Sequence, residues 1–411
     1  MGEEAAVDGT DTTDEEVIER ARVFVRDSVE SREQDLDRDD EEADALLGRL
    51  RDRARATGLW ALPLPTELGG GGWDLERYAS LAVVEGRSDH GPAALGSASL
   101  LDVHTLTRHG TAPLRERHLR PLVSGHSRAC FAMTEPGAKG SDPTSLTTTA
   151  RRSGSSFVLD GRKWFVTGAR SADLILVLAR TTDSAPPSRH GLTLFAVPAD
   201  SPGVRVEREL PVWGAGGQYE LGFDGVRVDE EQVVGEVDQG IRVAGSRIAL
   251  GRTLRSLRWL GQTERAFDLL LERARDTTRA RLALGDHQLV QRMIFESHLA
   301  LTSARSLVAT AVRAVVDPTT DPGRTAVAVA KVAAARALDT VADAAAQVHG
   351  AEGLGPDTPL PRLQRLARQA RVLDGPDETH VANVARRLLD AGPHSHSGET
   401  TPAIIAAARA R

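Results

Sequence analysis

The residues with the most evident chemical potential lie in Phe131-Ala132-Met133-Thr134-Glu135-Pro136-Gly137-Ala138-Lys139-Gly140-Ser141-Asp142. Small and hydroxyl residues crowd a Pro-Gly turn, and Gly137 and Gly140 can take backbone angles that a side chain would forbid. Such a loop can bring backbone N–H groups and the hydroxyls of Thr134 and Ser141 close to a flat, polar ligand. On residue types alone it reads equally well as a surface turn. A second stretch, Gly161 to Ala169, carries Trp164, Phe165 and Thr167, and by itself is an aromatic strand in a core. A third, Arg371 to His380, contains Asp374-Gly375-Pro376-Asp377-Glu378, where a lone Asp-Gly is by default a turn or N-cap.

The chain around these stretches has 411 residues, enough for two or three domains. At 40% hydrophobic and 27% charged it has the composition of a protein with a large core in water. A net charge of −7 provides no field for nucleic acid or anionic lipid, so neither is expected as a partner. Only three of the 51 basic residues are lysines (Lys139, Lys163, Lys331), which reads as codon bias rather than phosphate binding. Cys130 is the single cysteine, which excludes an intramolecular disulfide and fits a reducing compartment. The first fourteen residues are acidic and lack the apolar stretch of a leader, and no apolar run is long enough to span a membrane. A cytoplasmic protein is expected.

The elements that must position the three stretches follow from periodicity. Residues 1–13 read as disordered. A helical region over 14–128 starts with Asp14 as N-cap and Val17, Ala21, Phe24, Val25 and Val29 on one side. It continues with a helix carrying Leu46, Leu47, Leu50 and Ala54, a Pro/Gly-rich link from Leu59 to Gly72, and helices over Leu75–Gly86 and Ala93–His109. Short β-rich runs fill 129–237: Ser156–Leu159, Lys163–Thr167, Leu174–Ala179, Leu192–Val197, Val204–Val206 and Glu220–Val228. Their spacing predicts a small antiparallel barrel or sandwich. Long helical patterns over 238–391 predict a four-helix bundle, with Ala326–Ala346 allowing close helix approach. Residues 392–411 read as a flexible tail. The His394/His396 pair there reads as solvated, so no metal site is expected.

The order helical domain, β domain, helical bundle resembles the acyl-CoA dehydrogenase family over roughly residues 14–391. The Met133-Thr134-Glu135-Pro136 loop resembles that family's Met-Thr-Glu-Pro signature, and Leu59 to Pro65 with the following glycines resembles its N-terminal domain. Gly161 to Ala169 resembles the second flavin segment. Gln347-Val348-His349-Gly350-Ala351 resembles the Gln-x-x-Gly-Gly segment that meets FAD from a neighbouring subunit, with Ala351 in place of the second glycine. Asp374-Gly375-Pro376-Asp377-Glu378 resembles a subgroup of long-chain-like members, which also carries the extra loop residue that Lys139 supplies here.

The resemblance implies the α+β acyl-CoA dehydrogenase fold and the cofactor FAD. It implies flavin contacts from Met133, Thr134, Ser141, Phe165, Thr167, Gln347, Gly350 and Glu378, and substrate contacts from Arg252 and Gly375. The catalytic base falls on Asp374. The alternative base position of the family, on the first bundle helix, is Gly251 here. One departure stands out. The family's Arg-x-x-Phe-Gly, whose arginine reaches the FAD pyrophosphate of the partner, is replaced around Thr277-Thr278-Arg279-Ala280-Arg281; Arg275, Arg279 or Arg281 are the possible substitutes.

The implied reaction is the introduction of an α,β-double bond into an acyl thioester, carried by coenzyme A or by an acyl-carrier protein. An electron-transfer flavoprotein or similar acceptor and a homodimer or homotetramer are implied as well. The alternatives are a flavin-dependent oxidase or oxygenase on the same scaffold, and a non-catalytic partner subunit of a heteromeric acyl-CoA dehydrogenase.

Overall fold

The computed structural model of the protein describes residues 13–38, 40–140, 142–182, 190–213, 215–278, 282–315 and 321–391. Of residues 1–13, expected to be disordered, 1–12 lie outside them and Thr13 is instead ordered as a helix cap; the expected tail at 392–411 also lies outside them, as do Ser141, Arg279, Ala280 and Arg281.

The N-terminal helices are α1 (Asp14–Phe24), α2 (Glu33–Leu36), α3 (Glu41–Ala56), α4 (Leu75–Gly86), α5 (Gly91–Ala94), α6 (Leu100–His109) and α7 (Ala112–Ser124). The N-cap of α1 is Thr13 rather than Asp14. The Thr13 hydroxyl accepts from the Glu16 N–H while the Glu16 carboxylate accepts from the Thr13 N–H, a capping box. Asp14 instead pairs with Arg77 at 2.6 Å. The single helix expected over Ala93–His109 is two, because Gly96 breaks it with φ +82°, and a Cβ there would lie 2.8 Å from the Trp60 ring. Pro121 lies inside α7, a helix the Pro-Gly spacing concealed.

Eight strands follow: β1 (Ala129–Ala132), β2 (Thr149–Ser153), β3 (Ser156–Thr167), β4 (Leu174–Arg180), β5 (Leu192–Pro198), β6 (Val204–Glu209), β7 (Gln218–Asp229) and β8 (Val233–Val234). They form one sheet in the order β6-β7-β3-β2-β4-β5-β8, with β1 beside β4. Most pairs are antiparallel, but β1 and β2 run parallel to β4, a mixture that a list of separate apolar runs does not reveal. The runs at Ser156–Leu159 and Lys163–Thr167 are one bulged strand. In β4 alternate residues face opposite ways: Ile175, Val177 and Ala179 enter the core inside the sheet, and Leu174, Leu176 and Leu178 pack on α6 and α7. Burial on both faces explains the unbroken apolar run of this strand.

The bundle comprises three long helices, α8 (Gly240–Arg275), α9 (Gln288–Ala314) and α10 (Asp321–His349), closed by the shorter α11 (Leu360–Ala370) and α12 (Asp377–Ala391). Its core is continuous with that of the N-terminal helices, since Phe24, Leu50 and Leu81 belong to the same cluster as Leu254, Leu301 and Leu338. At the crossing of α4 and α8 only glycine fits. A Cβ on Gly86 would meet the Arg258 backbone at 2.3 Å, and one on Gly261 the Val83 carbonyl at 2.0 Å. This close crossing holds α8 against the N-terminal helices, and α8 carries one wall of the site.

Candidate active site

The β-domain half begins at the bulge in β3. Lys163 pairs with Leu221 and Val166 with Tyr219, so three steps along β3 match two along β7. The extra length frees Trp164 and Phe165 from the ladder. Trp164 binds the Met-Thr-Glu-Pro loop instead: its N–H donates to the Thr134 carbonyl at 2.9 Å, and the Thr134 hydroxyl donates to its carbonyl at 2.7 Å. Phe165 takes φ +50°, a left-handed conformation costly for a bulky residue, and the residue is 47% exposed. Trp164 packs edge-on against it, centroids 4.9 Å apart. Two residues on, the exposed Thr167 hydroxyl shares a hydrogen bond with the Gln218 amide at 3.0 Å.

Beneath this surface lies an ion pair that the residue pattern did not announce. Lys163, fully buried, donates to Glu135 at 2.7 Å and to the Met133 carbonyl at 2.9 Å. The Glu135 carboxylate also accepts from the Thr147 N–H and hydroxyl at 2.6 and 2.8 Å and from the Thr148 N–H at 3.0 Å. Burial brings the Lys163 ammonium down to about 8, against the pull of Glu135. Burial alone would raise the Glu135 carboxyl, but Lys163 and the two threonines outweigh it and hold it below its ordinary value. The glutamate of the signature is thus a brace, not a ligand.

The bundle half is the turn between α11 and α12. Asp374 takes φ +56° and Gly375 φ +94°. Two donors converge on the Asp374 carbonyl: Arg252 Nε from α8 at 3.0 Å and His380 Nε2–H from α12 at 3.1 Å. Burial, reinforced by Arg252, pushes the His380 imidazole down to about 4, so it is neutral and carries its proton on Nε2 toward that carbonyl. The Asp374 carboxylate is one-third exposed, with Arg255 Nε 3.6 Å away. Below the turn, Asp377 is buried and accepts from the fully buried Lys331 at 3.0 Å, with Arg371 at 3.3 Å and Arg336 at 3.7 Å. Asp377 is therefore structural, while Glu378 is exposed in the first turn of α12.

A chain of contacts joins the halves. Arg247 of α8 lies 4.8 Å from the Phe131 ring centroid, just before the Met-Thr-Glu-Pro loop, and pairs with Asp102 of α6 at 2.9 Å. Burial raises the Asp102 carboxyl despite that pair. Next to Asp102, Leu101 lies 3.4 Å from where a Cβ on Gly251 would be, so a hydrocarbon side chain faces the alternative base position.

The structure brings Thr134, Phe165 and Thr167 together through the bulge, and Arg252, Asp374 and Gly375 through the turn. Met133 contributes its carbonyl to Lys163, and Arg252, expected to contact substrate, is committed through Nε to the Asp374 carbonyl. Gln347 is exposed near the end of α10, and Gly350 turns the chain with φ +65°; neither joins the two clusters. Thr277 is exposed beyond α8, with Arg275 exposed at its last turn. The buried pairs Glu135–Lys163 and Asp377–Lys331, and the donor His380, went unread. The signal was present in the three lysines: in an arginine-rich chain, two are kept where a compact ammonium fits a buried carboxylate.

Comparison with known proteins adds the following. Family models match residues 11–126 (Acyl-CoA dehydrogenase, N-terminal domain), 130–226 (middle domain) and 238–389 (C-terminal domain). A Mycobacterium tuberculosis protein named probable acyl-CoA dehydrogenase FadE2 is 36% identical over 85% of this chain and 87% of its own length. Acyl-CoA dehydrogenase family member 11 of Gallus gallus is 32% identical over 84% of this chain, which spans 45% of that longer relative. The structure of butyryl-CoA dehydrogenase from Megasphaera elsdenii superposes with a TM-score of 0.80 at 24% identity, covering 93% of this chain and all of that one, and shows the shared fold.

Proposed function

The chain belongs to the acyl-CoA dehydrogenase family and is a flavin oxidoreductase acting on CH–CH bonds, and from that premise we propose that Asp374 is the base that opens an acyl thioester to α,β-desaturation. The supporting observation is the clamped turn. Arg252 and His380 hold the Asp374 carbonyl, the backbone is left-handed, and the carboxylate is left one-third exposed with only the loose Arg255 pair at 3.6 Å.

Removal of a weakly acidic α-proton needs a carboxylate held in near-attack geometry. Asp374 takes that proton on a carboxylate oxygen. A turn held from two helices limits how far the carboxylate can drift, which matters because aspartate is one methylene shorter than glutamate. Gly375 follows the base directly in the chain and adds no side chain of its own beside it. Asp377, held by Lys331, keeps the start of α12 in place.

The β-domain half fits FAD as the cofactor. A strained, projecting Phe165 with Trp164 beside it offers an apolar face, and Thr134 and Thr167 put polar groups at its rim. FAD held there would supply the acceptor for the β-hydrogen as hydride. Phe165 and Thr167 would hold the ring system, and Gln347 and Gly350 would reach FAD of another copy. A homodimer or homotetramer accords with the exposed apolar residues Leu289, Phe295 and Leu299 on α9 and Val381, Leu388 and Leu389 on α12. The thioester carrier is coenzyme A or an acyl-carrier protein, and the acceptor is an electron-transfer flavoprotein or similar. No helix among the described residues is long and apolar enough to cross a membrane, and a cytoplasmic location is proposed.

The test is anaerobic titration of the purified, FAD-loaded protein with a series of acyl-CoAs. Bleaching of the flavin absorbance is expected. A yellow protein that no acyl-CoA bleaches would remove the dehydrogenase reading.

A further inference from the structure

Resting on the reading of Asp374 as the base, we propose that Arg255 recognises a second carboxylate on the acyl group, so that the site prefers short dicarboxylic acyl thioesters to their monocarboxylic counterparts. Arg252 and Arg255 are three residues apart on α8 and share the face turned to the base. Their commitments differ. Arg252 donates through Nε to the Asp374 carbonyl at 3.0 Å. Arg255 Nε stands 3.6 Å from Asp374 Oδ2, beyond hydrogen-bond reach. Among the described residues no hydrogen bond leaves the Arg255 guanidinium, and its one ion pair is that loose one; its side chain is 36% exposed.

The surroundings leave that cation without a better partner. Asp377, the other carboxylate of the turn, is already taken by Lys331 and Arg371. The cations facing Asp374 and Asp377 from α8, α10 and the residue after α11 (Arg252, Arg255, Lys331, Arg336 and Arg371) outnumber these two carboxylates. A purely hydrocarbon acyl tail would press against a guanidinium and strip its water without return. A carboxylate would meet a planar fork of N–H donors suited to it. Reach limits the chain length. Because Arg255 adjoins the base, and the base adjoins the α-carbon, the second carboxylate must lie only a few carbons from that centre, as in five- and six-carbon diacids.

The test compares 2-hexenoyl-CoA with 2-hexenedioyl-CoA, which differ only in the terminal carboxylate and, being already desaturated, bind without turnover. Calorimetric titration of the FAD-loaded wild-type protein should show the diacid binding about ten- to hundredfold more tightly. In Arg255→Gln that ratio should fall close to one, whatever the variant does to both affinities together. Equal affinities in the wild type, or a preference that survives Arg255→Gln, would overturn the proposal and leave Arg255 as a positioning residue for Asp374. Bleaching tests the underlying reading separately: a preference for the diacid with no bleaching by hexanoyl-CoA or adipoyl-CoA would keep Arg255 as a carboxylate reader and remove Asp374 as a dehydrogenase base. Binding of neither ligand would overturn both.

Discussion

The bulge in β3 and the turn between α11 and α12 solve the same local problem with different supports. Each holds a non-glycine residue in the left-handed region, Phe165 at φ +50° and Asp374 at φ +56°, beside a fully buried lysine paired with a buried carboxylate. At the bulge the support stays within the β domain and its approaches. Lys163 and Glu135 balance one to one, and threonine donors complete the carboxylate. At the turn the support comes from three helices, α8, α10 and α12, and cations outnumber carboxylates. A rigid flat ligand needs a surface that does not move, which one domain can supply. The Asp374 turn, by contrast, is held from separate helices, α8 and α12. Buried pairs of this sort specify an arrangement more than they add stability.

The largest expected effect falls on chemistry at the turn alone. Asp374→Asn keeps the shape and the carbonyl clamp while removing the base, so anaerobic flavin reduction by acyl-CoA should slow by at least about a hundredfold. FAD absorbance should persist, and Asp374→Glu should keep partial activity. Reduction at the wild-type rate in Asp374→Asn would place the base elsewhere.

Removing each lysine then sharpens the contrast in support. Lys163→Met leaves Glu135 buried with hydrogen bonds but no cation, and should cost about 3–5 kcal/mol in chemical denaturation along with flavin affinity. Lys331→Met leaves Asp377 near Arg371 and Arg336, so a smaller loss of about 1–3 kcal/mol is expected, with turnover falling while flavin binding persists. The reverse order of losses would break the comparison. The double variant Glu135→Leu/Lys163→Met should recover much of the stability, since no buried charge remains.

A smaller effect separates the glycines of the two sites. Both Gly137 (φ +78°) and Gly375 (φ +94°) need the left-handed region, so alanine at either should cost about 1–2 kcal/mol in backbone terms. Around Gly137 nothing lies within 4 Å of an added Cβ, whereas at Gly375 it would sit 3.1 Å from His380 Nε2 and 3.6 Å from Arg252 Nη2. Gly375→Ala should therefore also loosen the clamp and lower the rate of flavin reduction, and Gly137→Ala should not.

A separate effect is a pH slope. His380 is held at about 4 in the fold against 6.5 for an ordinary histidine, so between those values the unfolded chain binds the proton more readily. Stability from this group is complete above about pH 6.5 and declines as pH falls toward 4. Melting temperatures across that window should fall less steeply for His380→Asn than for the wild type. An unchanged slope would mean that His380 is not the neutral donor of the clamp.

Much of the architecture was legible along the chain, because helix and strand periods record which face of each element meets the core. The apolar faces of α1, α3 and α4, the strand runs of the β domain and the long bundle helices all follow from that record. The Met-Thr-Glu-Pro loop and the Asp374 turn were visible because glycine and proline mark unusual backbone. Other features could not be read this way. Lys163 meets Glu135 across 28 residues and Lys331 meets Asp377 across 46, and an ion pair depends on distance in space, which periodicity does not carry. The merging of β3 through its bulge, the break at Gly96 against Trp60, and the parallel placement of β1 and β2 depend likewise on neighbours brought by folding. So does the position of Arg255 at the base. Local residue patterns determined the elements and the Asp374 turn; packing alone decided the bulge at Phe165 and which charges are buried beside each.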